Sequence, residues 1–212
     1  MNFVAHIVVA AQADGGGSTR FLLGAAAPDL ARMAGVPVAT EGPSDLLAGV
    51  AAHHRTDAAF HESDWFRSRN RALVAELGTR GLRRGQARGA AHVLIELLLD
   101  GAVLADPAHA ETFAVAWGSM GRADPDARAM VPPEHDDHWV DFLGQLTTRL
   151  DPSAYADPTY AADRTAGTLA RRPRLALDDA EHAALRSVAA DARTDIADEV
   201  DRIVPAMAGA LG

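Results

Sequence analysis

Two runs of this chain place residues that can hold a metal ion at helical intervals. In LLAGVAAHHRTDAAFH, from Leu46 to His61, His53, Asp57 and His61 stand at i, i+4 and i+8. AAHVLIELLLDG repeats the spacing with His92, Glu96 and Asp100. On an α-helix a four-residue step drifts only about 40°, so each trio occupies one narrow face. Every other residue between His92 and Asp100 is apolar, which predicts a helix buried on most sides. Imidazoles and carboxylates there are costly unless they pair with each other, with arginines or with a cation, and two matched trios favour the cation. The rise of about 1.5 Å per residue sets the ends of a trio about 12 Å apart, so one ion with bonds of about 2 Å cannot take all three members. Either two ions bind, or one member of each trio only supports a ligand.

His53, Asp57, His61, His92, Glu96 and Asp100 are the candidate ligands that the spacing supplies. His54 projects about 100° from His53, toward solvent or behind the ligands.

These residues need helices to carry them, and the sequence reads as all-α, one helical bundle over residues 1–212. Met1 to Ala13 reads as a short buried helix whose only titratable side chain is His6, although Ile7, Val8 and Val9 would suit a strand. DGGGST is a turn. Within the apolar segment Arg20 to Gly35, Pro28 predicts a helix start or kink that presents Asp29 in a first turn. Ser44 is the expected cap of the first-trio helix, which should end near His61 and leave His61 the weakest member of its trio. The second-trio helix should run to about Ala105. Asp106-Pro107 and Asp157-Pro158 each supply an N-cap followed by proline at the first helical position. Gly118 to Pro133 reads as loop, and Glu134 to Leu150 as an amphipathic helix with exposed His135 and His138. After the basic turn LARRPRL, Asp178 and Glu181 form a capping-box pattern opening one long helix with Leu185, Val188, Ala192, Ile196, Val200 and Ile203 on its apolar face.

Composition narrows the function. The 212 residues carry 20 Lys+Arg against 29 Asp+Glu, a net charge of −9, which excludes a general nucleic-acid binder. At 48% hydrophobic content the chain can bury a core. Cysteine is absent, so disulfides, Cys-ligated zinc and thiol nucleophiles are excluded and His and carboxylates remain as ligands. The opening MNFVAHIVVAAQAD has no basic residue before its apolar run, and reads as neither signal peptide nor membrane span; a cytoplasmic protein is expected. Arg80, Arg83, Arg84 and Arg88, with Arg171, Arg172 and Arg174, are two basic clusters, either a solvated face or a docking surface for an acidic partner or phosphate.

NFVAH, FLLG, GVAAHHRTDAAFHES, IELLLDGAVL and LARRPRL resemble, in that order and along nearly the full length, the acyl carrier protein phosphodiesterase family. The resemblance implies an all-α, HD-like fold and a divalent metal, manganese by expectation, used to release phosphopantetheine from a serine of an acidic carrier protein. His6, His53, Arg55, Asp57 and Asp100 match that pattern. The family's Gly-Asp is Gly24-Ala25 here, with Asp29 four residues on as a substitute; His61 and Glu96 stand where aspartates are usual, Gly101 replaces a histidine, and His92 is extra. LLGAAAPDL is similar to a motif of zinc-dependent phospholipase C-like proteins, whose zinc ligands include His-x3-Asp and His-x3-Glu pairs; His53 to Asp57 and His92 to Glu96 have those spacings. Both resemblances imply a helical metallo-phosphoesterase, in which a divalent ion neutralises a non-bridging phosphate oxygen and acidifies water. On that implication His53, Asp57, His92 and Glu96 are the expected ligands, with His6, Asp29, His61 and Asp100 completing one or two ions. Arg55, near the first stripe, is then the candidate for stabilising phosphate charge; its alternative role is pairing with Asp57 or a surface acid. The rival expectation, favoured by Ala25 and Gly101, is a homologue that has lost catalysis and serves as a metal-binding or docking module.

Overall fold

The computed structural model describes residues Met1–Gly212 and is all-α. In order the helices are α1 (Phe3–Ala13), α2 (Thr19–Ala34), α3 (Ser44–Glu62), α4 (Asp64–Thr79), α5 (Arg84–Val103), α6 (Pro107–Arg122), α7 (Pro125–Arg128), α8 (Asp136–Arg149), α9 (Pro158–Ala170), α10 (Asp179–Ala197) and α11 (Val200–Gly209). The start signals act as expected. Asp106 and Asp157 accept backbone amides ahead of Pro107 and Pro158, and Asp178 and Glu181 form a reciprocal capping box. No helix is long and apolar enough to cross a membrane.

The chain forms two compact units. The first comprises Met1–Phe60, Asp106–Asp151 and Asp201–Gly212. Its α1 is buried along Phe3 to Ala11 because FVAHIVVAA is apolar all round except at His6, and it packs against α2 and α6. Phe3 stacks on Trp117 and tilts against Phe113 of α6. The second unit comprises His61–Ala105 and Pro152–Val200, with α5 at its centre against α4, α9, α10 and the 3-10 turn Pro152–Ala156.

Three expectations are corrected. Pro28 does not start a helix: α2 runs through it, because burial of Leu22 to Ala27, Leu30 and Ala31 outweighs the one backbone hydrogen bond proline removes, and Asp29 stands mid-helix, not in a first turn. The stretch from Gly118 is not loop; α6 continues to Arg122, burying Ala116, Ser119 and Met120 at helical spacing. The long C-terminal helix is two, because α10 ends at Ala197 with Asp198 as cap and α11 begins at Val200. Ser44 is the first residue of α3, one place later than its expected capping position.

Candidate metal centres

In the first unit the site is set by a contact between α2 and α3 too close for side chains. A Cβ at Gly24 would stand 2.1 Å from the Leu46 carbonyl oxygen, and one at Gly49 2.1 Å from that of Phe21. With no side chain at either position the two backbones touch, and one turn beyond Gly49 the His53 ring reaches the backbone of α2. Its Nδ1 lies 2.9 Å from the Ala25 carbonyl oxygen, which can only accept, so Nδ1 carries the proton and Nε2 the lone pair. His6 is oriented the same way. Its Nδ1 lies 2.9 Å from the Thr56 hydroxyl, whose own proton goes to the carbonyls of Ala52 and His53. The hydroxyl therefore accepts from His6 Nδ1, and His6 Nε2 is left as a buried lone pair with no hydrogen bond.

The two rings lie 3.8 Å apart between centroids. Burial pushes the His6 pKa down to about 3 and that of His53 down to about 4, so both are neutral at pH 7. Asp29, 4% exposed, completes the group, and its Oδ1 also accepts from Arg32 at 2.7 Å. One ligand atom from each of His6, Asp29 and His53 falls within 4.8 Å of the others. A tetrahedral ion with bonds of about 2.1 Å needs its ligands about 3.4 Å apart, so small side-chain rotations close the cage. The residues fit a divalent cation: two imidazoles held in the ligating tautomer by acceptors behind them, and one carboxylate. Half-exposed Asp57 borders the group, its Oδ1 3.7 Å from His6 Nε2 and 3.1 Å from the Met1 amino group.

The second unit gathers His61, His92 and Glu96. Both imidazoles reach one carboxylate oxygen, with His61 Nε2 at 3.1 Å and His92 Nε2 at 3.2 Å from Glu96 Oε1. Those separations are already close to the tetrahedral edge of about 3.4 Å. The two rings stack at 4.9 Å with a 7° interplanar angle, and Phe66 meets both edge-on, fixing their planes. Burial alone would raise the Glu96 pKa. Favourable electrostatics, including the hydrogen bonds from His61 and His92, outweigh it and hold the carboxyl well below the usual range.

The candidates other than Asp100 and Arg55 gather in or beside two groups. His6, Asp29 and His53 come together with Asp57 beside them, and His61, His92 and Glu96 come together. His61 belongs to a complete trio of its own. Asp100 is fully buried in neither group; it sits near Tyr155, whose pKa burial and the Asp100 charge push up. Gly101 has a packing reason, since a Cβ there would lie 2.3 to 2.5 Å from the Tyr155–Ala156 backbone. Arg55 is exposed and pairs with neither Asp57 nor another acid. His54 is exposed, edge-on to His53, and His138 is spent on the Ala34 carbonyl. Thr56 and Phe66, which hold the His6, His61 and His92 rings in place, carry only a weak sequence signal, their helical proximity to His53 and His61.

Compared with known proteins, the chain matches no family model, no curated protein and no solved structure, so the comparisons assign it to no family.

Proposed function

We propose that this protein is a metal-dependent phosphodiester hydrolase. The observation that carries the reading is the buried trio of the first unit, in which two neutral histidines present lone pairs beside a carboxylate. A lone pair at His6 Nε2, desolvated and without a donor, costs about 1 to 3 kcal/mol that a cation would recover. When bound, a divalent cation supplies Lewis acidity toward a phosphate oxygen and toward water. The remaining tasks fall to the chain. The half-exposed Asp57 carboxylate, beside His6, is positioned to take a proton from water. Arg55 offers an exposed guanidinium with no acid partner; it stands about 200° around α3 from His53, so its long side chain, not its helix face, would have to carry it to a phosphate.

The candidate ligands divide between the two resemblances: His6 and His53 match the carrier-protein pattern, and Asp57 of the His-x3-Asp spacing stands beside the first trio, outside it, whereas two features match the zinc-dependent phospholipase C-like pattern. Asp29 of LLGAAAPDL joins the first trio, and the His92 to Glu96 pair, foreign to the carrier-protein pattern at His92, joins the second. The test is hydrolysis of bis(p-nitrophenyl) phosphate with added zinc or manganese, alongside release of phosphopantetheine from a holo acyl carrier protein. Metal-dependent turnover of the diester is expected, lost in Asp29→Asn, reduced in Arg55→Ala and unchanged in His135→Ala. Full turnover after exhaustive chelation would overturn the reading, and exclusive action on the carrier protein would give the choice to the phosphodiesterase family.

A further inference from the structure

The two arginine clusters, some eighty residues apart in the sequence, form one surface in the second unit. Gly85 and Gly89, one turn apart on α5, leave room for the 3-10 turn Pro173–Leu175. A Cβ on Gly85 would be 3.4 Å from Leu175, and one on Gly89 3.0 Å from Leu169 and 3.9 Å from Leu175. Gln86, buried between them, ties the two segments by donating to the Ala176 carbonyl at 2.8 Å and to Glu181 at 2.8 Å. Arg83, Arg84 and Arg88 flank this seam on one side and Arg171, Arg172 and Arg174 on the other, all exposed. Only Arg83 has an acid near, Glu181 at 4.0 Å. Asp178 and Glu181 are engaged in the α10 cap, so of the adjoining acids only exposed Asp179 lacks a partner in the seam. The half-buried Leu175 and Leu177 and the exposed Pro173 stand among the arginines.

We propose that this face docks the protein on an anionic phospholipid surface. Six guanidinium groups held on folded backbone repel one another and are offset only in part by Glu181 and the carboxylates at the start of α10, and a layer of phosphodiester headgroups complements them by bidentate hydrogen bonding. With Leu175 seated against α5, Leu177 and the exposed Pro173 are the apolar groups left among the arginines, and they suit the headgroup boundary better than the surface of an acidic protein, which supplies charge alone. The proposal rests on the hydrolase reading only in that docking would bring a phosphodiesterase to a lipid substrate; the surface and its binding are separable from the metal trios.

The experiment is co-sedimentation of the full chain with phosphatidylcholine vesicles, with and without phosphatidylserine, at rising salt. Binding should require phosphatidylserine and fade as salt rises. Each arginine near the surface contributes roughly a fivefold gain in partition, so the exposed double variant Arg84→Gln/Arg172→Gln should bind about 25-fold more weakly. The control Arg67→Gln/Arg71→Gln, equal in net charge and exposed on α4, should bind as the wild type does. Turnover of a soluble diester should be unchanged in both, which separates this proposal from the hydrolase reading. Absence of phosphatidylserine-dependent binding, equal loss in both double variants, or tighter binding to soluble poly-glutamate than to the vesicles would overturn it.

Discussion

Replacing Gly49 by alanine tests whether the first trio depends on the contact between α2 and α3. The new Cβ would lie 2.1 Å from the Phe21 oxygen, 2.9 Å from the Ala25 nitrogen and 2.9 Å from the Gly24 Cα. All three are backbone atoms, so no side-chain rotation relieves the clash, and reaching ordinary contact requires the helices to part by roughly 1 Å. Overpacking of this kind costs up to about 3 kcal/mol, from which the better helix propensity of alanine returns about 1. A net loss of about 2 kcal/mol corresponds to a midpoint lowered by roughly 4 to 8 °C for a chain of this length. The same displacement carries His53 away from Asp29, whereas metal ligands tolerate only about 0.2 Å. Manganese or zinc affinity should therefore fall together with stability. The assay is thermal unfolding with and without metal, plus a metal titration, against Gly144→Ala in α8, where a Cβ meets nothing within 4 Å and alanine should be neutral or stabilising. If Gly49→Ala melts with Gly144→Ala and binds metal as tightly, the close contact does not position the trio.

Three further outcomes are expected. His6 and His53 have folded pKa values near 3 and 4 against an ordinary 6.5, so between pH 6.5 and 4 the unfolded chain binds protons that the folded one refuses. Stability of the metal-free protein should be level above about pH 7 and fall on acidification, by on the order of 3 to 4 kcal/mol near pH 5, as followed by denaturant unfolding. Gly101→His, which restores the residue of the carrier-protein pattern, should unfold far below the wild type because the Tyr155 backbone occupies the space; a stable variant would mean that the turn Pro152–Ala156 yields easily. His92→Ala should remove one equivalent of zinc from a chelator-competition titration while leaving helical content intact, since its side chain is 43% exposed; undiminished stoichiometry would make the second trio a hydrogen-bonded pair of rings on a glutamate and no more.

Much of the fold was legible because helix formation is written locally. Apolar periodicity marked the faces, and Asp106-Pro107, Asp157-Pro158 and the Asp178–Glu181 box marked the starts where the structure has them. The residue types that cluster were legible too, since histidines and carboxylates at four-residue spacing on apolar helices are costly enough to need a reason. What periodicity states is the face a residue occupies, never what lies across from it. His53 and His61 share a stripe of α3 but are two turns apart along it, far enough to meet different neighbours, so one joins His6 and Asp29 while the other joins His92 and Glu96. Asp100 shares a stripe with both His92 and Glu96 and still ends beside Tyr155. The passage of α2 through Pro28, the fit of Gly24 against Gly49 and the seating of a turn on Gly85 and Gly89 were decided by tertiary packing. There the burial of whole helix faces, worth several kcal/mol, outweighs the loss of a single local hydrogen bond or the helix cost of a glycine.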